Sequence, residues 1–244
     1  MCEILAMSAA PASIPRDYSP PFGDAAPASL TGWGLGFFRN GQALVEKSAA
    51  GGEPPYDAFR RLSRVVESPI ILAHLRHPKS GPPPGALVQP LNDHFLDHDW
   101  LFTFTGESAK VGGYQSPRPL MDRECRAARV FEFIRDEITG ALEADPHESL
   151  FQALALAAKK LITSYPGKYI FFLANEGVLF AFLNHSQVRF RRLPETRGEA
   201  AILMAGSGEM IKDPEQWVSF ANRDPSRGQI LIISGADLLY LGHL

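Results

Sequence analysis

The order in which hydrophobic patterns change along the chain limits its fold more than any other feature. Strand-length apolar or alternating runs fill the first hundred or so residues, helical patterns occupy Arg123 to Ser164, and strand-length runs then resume. In the helical block, Ala127-Ala128, Val130-Phe131, Ile134 and Ile138 recur at helical spacing up to Gly140. Leu150-Phe151, Leu154, Ala157-Ala158 and Leu161-Ile162 do the same from about Ser149 to Ser164. Strands alternating singly with helices would point to a parallel βαβ sheet. One helical block between two strand blocks predicts instead an α+β fold, with two layers of sheet and helices outside. The two helices, joined by a short polar link, are expected to pack antiparallel on one sheet.

The strand blocks carry their own punctuation. Glu3 to Met7 reads as a buried strand, and Ser8 to Leu30, rich in Pro, Ala and Ser, as an irregular surface segment. Arg39-Asn40-Gly41-Gln42 between Gly32–Phe38 and Ala43–Lys47 is a hairpin signal. The glycines flanking Trp33 would let a backbone or a ligand approach closely. Tyr56 to Val66 has the pattern of a short amphipathic helix, Pro69 to Leu75 of a buried strand, and Asn92 to Phe95 is placed in the following connection. Trp100 to Gly106 alternates Phe102 and Phe104 with Thr103 and Thr105, which predicts a strand with one packed and one more polar face, ending at Gly106. Further strands are expected over Lys168–Ala174, Val178–Leu183, Gln187–Leu193, Ala201–Ala205, Gln229–Ile233 and Leu238–Leu241.

Bulk properties exclude several function classes. A net charge of −3 argues against a broad nucleic-acid footprint, and no apolar run approaches the ~20 residues of a membrane span. The N-terminus has neither the basic region nor the apolar stretch of a secretory signal. Cys2 and Cys125 are the only cysteines, so no disulfide framework and no paired-cysteine metal spacing exists, and a cytoplasmic protein is expected. His74 and His77, three apart on a strand, face opposite sides, and no metal or other cofactor is expected. Gly206-Ser207-Gly208 lacks the downstream pattern of a phosphate loop and reads as a turn.

Chemistry concentrates at the start. Removal of Met1 would make Cys2 the first residue, with a thiol and a free α-amine on adjacent atoms. Their reference pKa values, about 8.5 and about 7.7–8.0, let the amine act as base for its own side chain. The other reading of Cys2 is a small residue beginning a buried strand. Arg76, at the exit of the Pro69–Leu75 strand, is placed to grip a carboxylate with its forked donors or to pair with a structural acid. Gly106 could expose its backbone N–H as an oxyanion donor or simply turn the chain.

Several pieces occur together in order: Met-Cys-Glu-Ile-Leu at the N-terminus, Gly32-Trp33-Gly34, Ala73-His74-Leu75-Arg76 with a glycine at Gly81, Asn92-Asp93-His94, and a strand ending in Gly106. The series resembles the class II glutamine amidotransferases, the N-terminal-nucleophile glutaminases, and within them the stand-alone bacterial branch. The resemblance covers Cys2 to about Arg135 and continues more loosely to the C-terminus. It implies a four-layer αββα sandwich of the N-terminal-nucleophile hydrolase type, one domain over residues 1–244. It also implies that Cys2 attacks a glutamine or γ-glutamyl amide, releases ammonia and leaves a thioester that water cleaves. Arg76 matches the arginine that holds the substrate α-carboxylate, His77 a residue lining that pocket, and Gly106 the oxyanion glycine. With no synthase sequence following, the ammonia would pass to a separate partner or to solvent; the oligomeric state, homo-oligomer or monomer, stays open.

The sequence departs from the family pattern at telling positions. Thr105 stands where the family usually has asparagine before the oxyanion glycine, so the Thr105 hydroxyl would have to substitute. The aspartate that binds the substrate α-amine falls at Glu124, with Asp122 a rival. Thr31 replaces the acidic residue common before Gly-Trp, and the proline usual after His94 is missing. The alternative expectation is therefore a degenerate member, weak or inactive in catalysis, acting as a ligand-binding or regulatory subunit.

Overall fold

The computed structural model describes residues 2–15, 31–49, 55–76, 88–120, 125–196, 199–206, 214–222 and 224–244. Met1, His77, Asp122 and Glu124, together with most of the Ser8–Leu30 segment, lie outside them. Among the described residues the chain forms two antiparallel sheets and three α-helices. The first sheet has seven strands in the order β11-β9-β10-β1-β4-β2-β3. Its members are β1 (Cys2–Ser13), β2 (Gly32–Arg39), β3 (Gln42–Ala49), β4 (Ser68–Arg76), β9 (Ser186–Thr196), β10 (Glu199–Ala205) and β11 (Val218–Asn222). The second has six strands in the order β13-β12-β8-β7-β6-β5. These are β5 (Leu91–Phe95), β6 (His98–Glu107), β7 (Lys168–Ala174), β8 (Leu179–Leu183), β12 (Gln229–Ser234) and β13 (Asp237–His243).

Alternation along the strands explains the layers. In β1, Ile4 and Ala6 pack into the core between the sheets with Leu101, Ile170 and Phe172, while Leu5 and Met7 turn to the outer face with Trp33 and Phe59. Both faces of β1 are thus apolar, as expected for a strand covered on two sides. Over the outer face lies α1 (Pro55–Leu62), whose Phe59 meets Trp33 edge to face at 5.6 Å. Against the second sheet pack α2 (Arg126–Ala144) and α3 (Leu150–Ser164), burying Phe131 on Phe102 with ring centroids 4.9 Å apart. Each such side chain contributes about 1.5–3 kcal/mol on leaving water. The short link between these helices and the contact of Lys160 with Glu137 at 2.6 Å make them an antiparallel pair. The layers are helices, sheet, sheet, helix: the αββα sandwich. Among the described residues no helix is long and apolar enough to cross a membrane.

Several elements differ from the sequence reading: the helix expected over Tyr56–Val66 ends at Leu62, and the one expected to end near Gly140 runs to Ala144. β1 does not stop at Met7 but runs to Ser13, because Ala9 and Ala10 continue the ladder opposite Ala201 and Ala200 of β10. Asn92 to Phe95 forms most of a strand, β5, instead of a connection; only its ends, Leu91 and Phe95, are buried, so the apolar signal is thin. Gly106 lies inside β6, opposite Tyr169, and the ladder continues to Glu107 opposite Lys168. The Asn40-Gly41 hairpin forms as expected, with φ of 54° and 79° at the two turn residues.

Candidate active site

Register puts the two strongest sequence candidates side by side. Cys2, the first residue of β1, is the ladder partner of Arg76, the last residue of β4. Arg76 is in turn opposite Gly32 of β2. Its carbonyl accepts the Thr31 N–H at 2.8 Å and lies 3.4 Å from the Thr31 hydroxyl oxygen, so Thr31, in place of an acid, secures the arginine's backbone. Cys2 is half-buried. By alternation with Ile4 and Ala6 its side chain is on the face toward the second sheet.

Thr105 and Gly106 stand on that second sheet. Leu101 of β6 belongs to the inter-sheet core, so Thr103 and Thr105 share its face, while Phe102 and Phe104 turn toward the helices. Thr105 pairs with Ile170. Ile170 meets the start of β1 at Gly206: the Gly206 N–H donates to the Ile4 carbonyl at 2.9 Å, and a β-carbon on Gly206 would lie 3.3 Å from Ile170 Cγ2. The Thr105-Gly106 end of β6 and the Cys2 end of β1 therefore meet at the same edge of the sandwich. Gly106 has φ +154°, and a β-carbon there would sit 2.0 Å from the Lys168 carbonyl oxygen. Both facts demand glycine.

A segment between β4 and β5 ties the sheets together beside this edge. Gln89 is buried, and its carbonyl oxygen lies where a β-carbon on Gly34 would be only 1.9 Å away. The flanking glycine of Gly32-Trp33-Gly34 thus admits backbone, not a ligand. From there the Gln89 side chain reaches β6, donating from Nε2 to the Phe104 carbonyl at 3.0 Å and accepting the Phe104 N–H on Oε1 at 2.5 Å. Sequence reading passed over Gln89; its only signal was a polar residue next to proline in an apolar stretch.

The segment leading to Asp122 and Glu124 is anchored by a buried polar network. Arg135, 2% exposed, bonds Asp93 at 2.6 Å, Asp136 at 2.9 Å, Ser116 at 2.7 Å and the Arg118 carbonyl at 2.5 Å. Burial alone would lower its pKa, but the two carboxylates outweigh that and raise it. Asp136 also accepts from the Tyr114 hydroxyl at 2.9 Å, and burial with this bond raises the tyrosine's pKa. Glu132, buried and paired with Arg129 at 2.8 Å, accepts the Leu120 N–H at 2.6 Å. Asp122, Glu124 and His77, three of the sequence candidates, fall outside the described residues.

A family model, glutamine amidotransferases class II, matches residues 1–234. The chain belongs to the class II glutamine amidotransferases. Solved structures share its fold at low identity. A predicted glutamine amidotransferase from Pseudomonas aeruginosa aligns at 15% identity and TM-score 0.60, covering 98% of this chain and 100% of its own. A glutamine aminotransferase class-II domain protein from Silicibacter pomeroyi aligns at 14% and 0.57, covering 100% and 98%. The glutamine phosphoribosylpyrophosphate amidotransferase of B. subtilis aligns at 13% and 0.63, covering 100% of this chain but 49% of that one. This amidotransferase chain thus spans about half the length of that enzyme and nearly all of the other two. No curated protein sequence matches it.

Proposed function

We propose that this family member is a glutaminase-type amidohydrolase in which Cys2, freed of Met1, is the nucleophile. The observation that carries the reading is the ladder pairing of Cys2 with Arg76 in one sheet, supported by the neighbourhood of the start of β1 and the Thr105-Ile170 pair through Gly206. Arg76 receives the substrate α-carboxylate; His77 lines the pocket; Glu124 or Asp122 takes the α-amine. The Cys2 amine accepts the thiol proton as sulfur attacks the side-chain amide carbon. The Gly106 N–H, with the Thr105 hydroxyl in the usual asparagine's place, stabilises the oxyanion. The C–N bond then breaks, the proton leaves with ammonia, and a γ-glutamyl thioester remains. Water cleaves the thioester, releasing glutamate and the thiol. The reading takes residues 1–244 as one amidotransferase domain, active in the cytoplasm, with a separate synthase or solvent receiving the ammonia.

The test is intact mass followed by exposure to glutamine and to 6-diazo-5-oxo-norleucine. The expected result is protein lacking Met1, one label on Cys2, ammonia released from glutamine, and neither label nor ammonia in Cys2→Ala. Processed protein that takes no label and releases no ammonia would reject the proposal. Thr105 favours a second reading, a ligand-binding subunit without turnover, since losing a comparable oxyanion donor costs about 10²–10³ in rate. Binding of glutamine without ammonia release, with turnover appearing in Thr105→Asn, would support that reading.

A further inference from the structure

We infer that Gln89 is a positioning residue for the oxyanion donor, acting through the backbone of Phe104. This inference rests on the glutaminase reading. The contacts of Gln89 are with β2 and β6, and its influence is geometric. Its carbonyl oxygen is wedged against Gly34, two residues from the Gly32 that lies opposite Arg76. Its side chain grips both polar groups of Phe104, whose carbonyl forms the peptide bond to Thr105. Among the described residues β5 pairs with β6 only as far as Leu91 opposite Phe102, and at Phe104 the primary amide takes the place of a strand's backbone. The other side of β6 is held by the ladder to β7, with Thr105 opposite Ile170 and Gly106 opposite Tyr169. Gln89 therefore couples the sheet that carries Cys2 and Arg76 to the strand that carries Thr105 and Gly106, on the side of β6 where, among the described residues, no strand pairs with Phe104. Gln89 makes this link with one donor and one acceptor, which neither a carboxylate nor an apolar side chain can reproduce.

An oxyanion donor acts only when held close to its productive place, and a displacement of about 1 Å can cost about 10²-fold in rate. Truncating the amide should therefore lower kcat far more than it weakens glutamine binding. A buried carboxyl group in its neutral form regains one donor and one acceptor, and burial favours that neutral form. Gln89→Glu is thus a conservative rescue that works only when protonated.

The experiment measures ammonia release from glutamine by Met1-free wild type, Gln89→Leu and Gln89→Glu, from about pH 8 to about pH 5.5, per mole of Cys2 labelled at end point. Expected is a loss of about 10²-fold in kcat for Gln89→Leu, with KM changed by less than about threefold. Gln89→Glu should rise at least tenfold relative to wild type as the pH falls. Gln89→Leu with kcat within about twofold of wild type overturns the inference, as does a Gln89→Glu profile parallel to wild type. If Gln89→Leu fails to fold, the Gln89→Glu profile alone decides. Wild type that neither takes the label nor releases ammonia overturns the glutaminase reading and the positioning role with it. Active wild type beside an unaffected Gln89→Leu overturns the positioning role alone.

Discussion

Gly106→Ala separates the structural reason for a glycine at position 106 from the proposed oxyanion role, because the structural one can be measured without substrate. At φ +154° an alanine occupies backbone space that is nearly restricted to glycine, at a cost of about 1–3 kcal/mol. Its β-carbon would also lie 2.0 Å from the Lys168 carbonyl oxygen and 2.9 Å from the carbonyl carbon. Ordinary C···O contacts are about 3.3–3.6 Å, so β6 and β7 must part by about 1.3 Å or more at this point. The obstacle is backbone in a paired ladder, which cannot swing aside like a side-chain tip, and overpacking of this kind costs about another 1–3 kcal/mol. The sum, about 2–6 kcal/mol, is a large share of the ~5–15 kcal/mol that holds a typical protein folded. Denaturant unfolding followed by tryptophan fluorescence reads it directly, since Trp100 is fully buried on the same strand. A loss below about 0.5 kcal/mol, the range of ordinary surface changes, would refute the argument that β7 dictates this glycine.

Arg135→Leu should destabilise the fold by about 3–5 kcal/mol in the same assay, because it removes the cation paired with Asp93 and Asp136 and the donor to the Arg118 carbonyl. If Arg76 holds the substrate carboxylate as proposed, Arg76→Lys should raise KM for glutamine at least about tenfold with a smaller change in kcat, since a point charge would replace a forked donor. Asp99 predicts an acid limb of stability: the Ala43 N–H at 2.9 Å and His94 at 2.8 Å hold its pKa below the ordinary 3.8. Stability from this group is present above the unfolded value and lost as pH falls through the folded one, so Asp99→Asn should flatten the fall in urea midpoint below about pH 4.

The layers were legible because periodicity reports which faces are covered, and here it changes cleanly from strand to helix and back. Lys168–Ala174 was readable to the residue, since its run is buried from Tyr169 to Ala174. β5 was not, because Asn92 and His94 point outward and Asp93 turns to Arg135, a partner more than forty residues away that no local pattern announces. The pairing of Cys2 with Arg76 could not come from either strand alone, since register is a property of two strands. Gln89 was hidden for a related reason: its importance lies in the two backbone groups it satisfies, and those belong to Phe104. Gly106 was found for its chemistry, whereas the cause visible in the fold, the approach of Lys168, was beyond the reach of sequence.

Register is the remaining physical problem, because a slip of one residue would turn Cys2 to the opposite face of its sheet. Hydrophobic patterning cannot prevent this in β1, whose residues from Ile4 to Met7 are apolar on both faces. What distinguishes the faces is volume. Ile4 lies beside Gly206, where even a β-carbon would come within 2.7 Å of its Cγ1, so the neighbouring strand leaves a gap sized for that side chain. The Gly206 N–H closes on the Ile4 carbonyl at one flank, and the Thr31 N–H closes on the Arg76 carbonyl at the other. Two hydrogen bonds outside the regular ladders thus bracket the pair at the end of β1 and β4. Gly206 and Thr31 thereby constrain where the backbones of Cys2 and Arg76 stand.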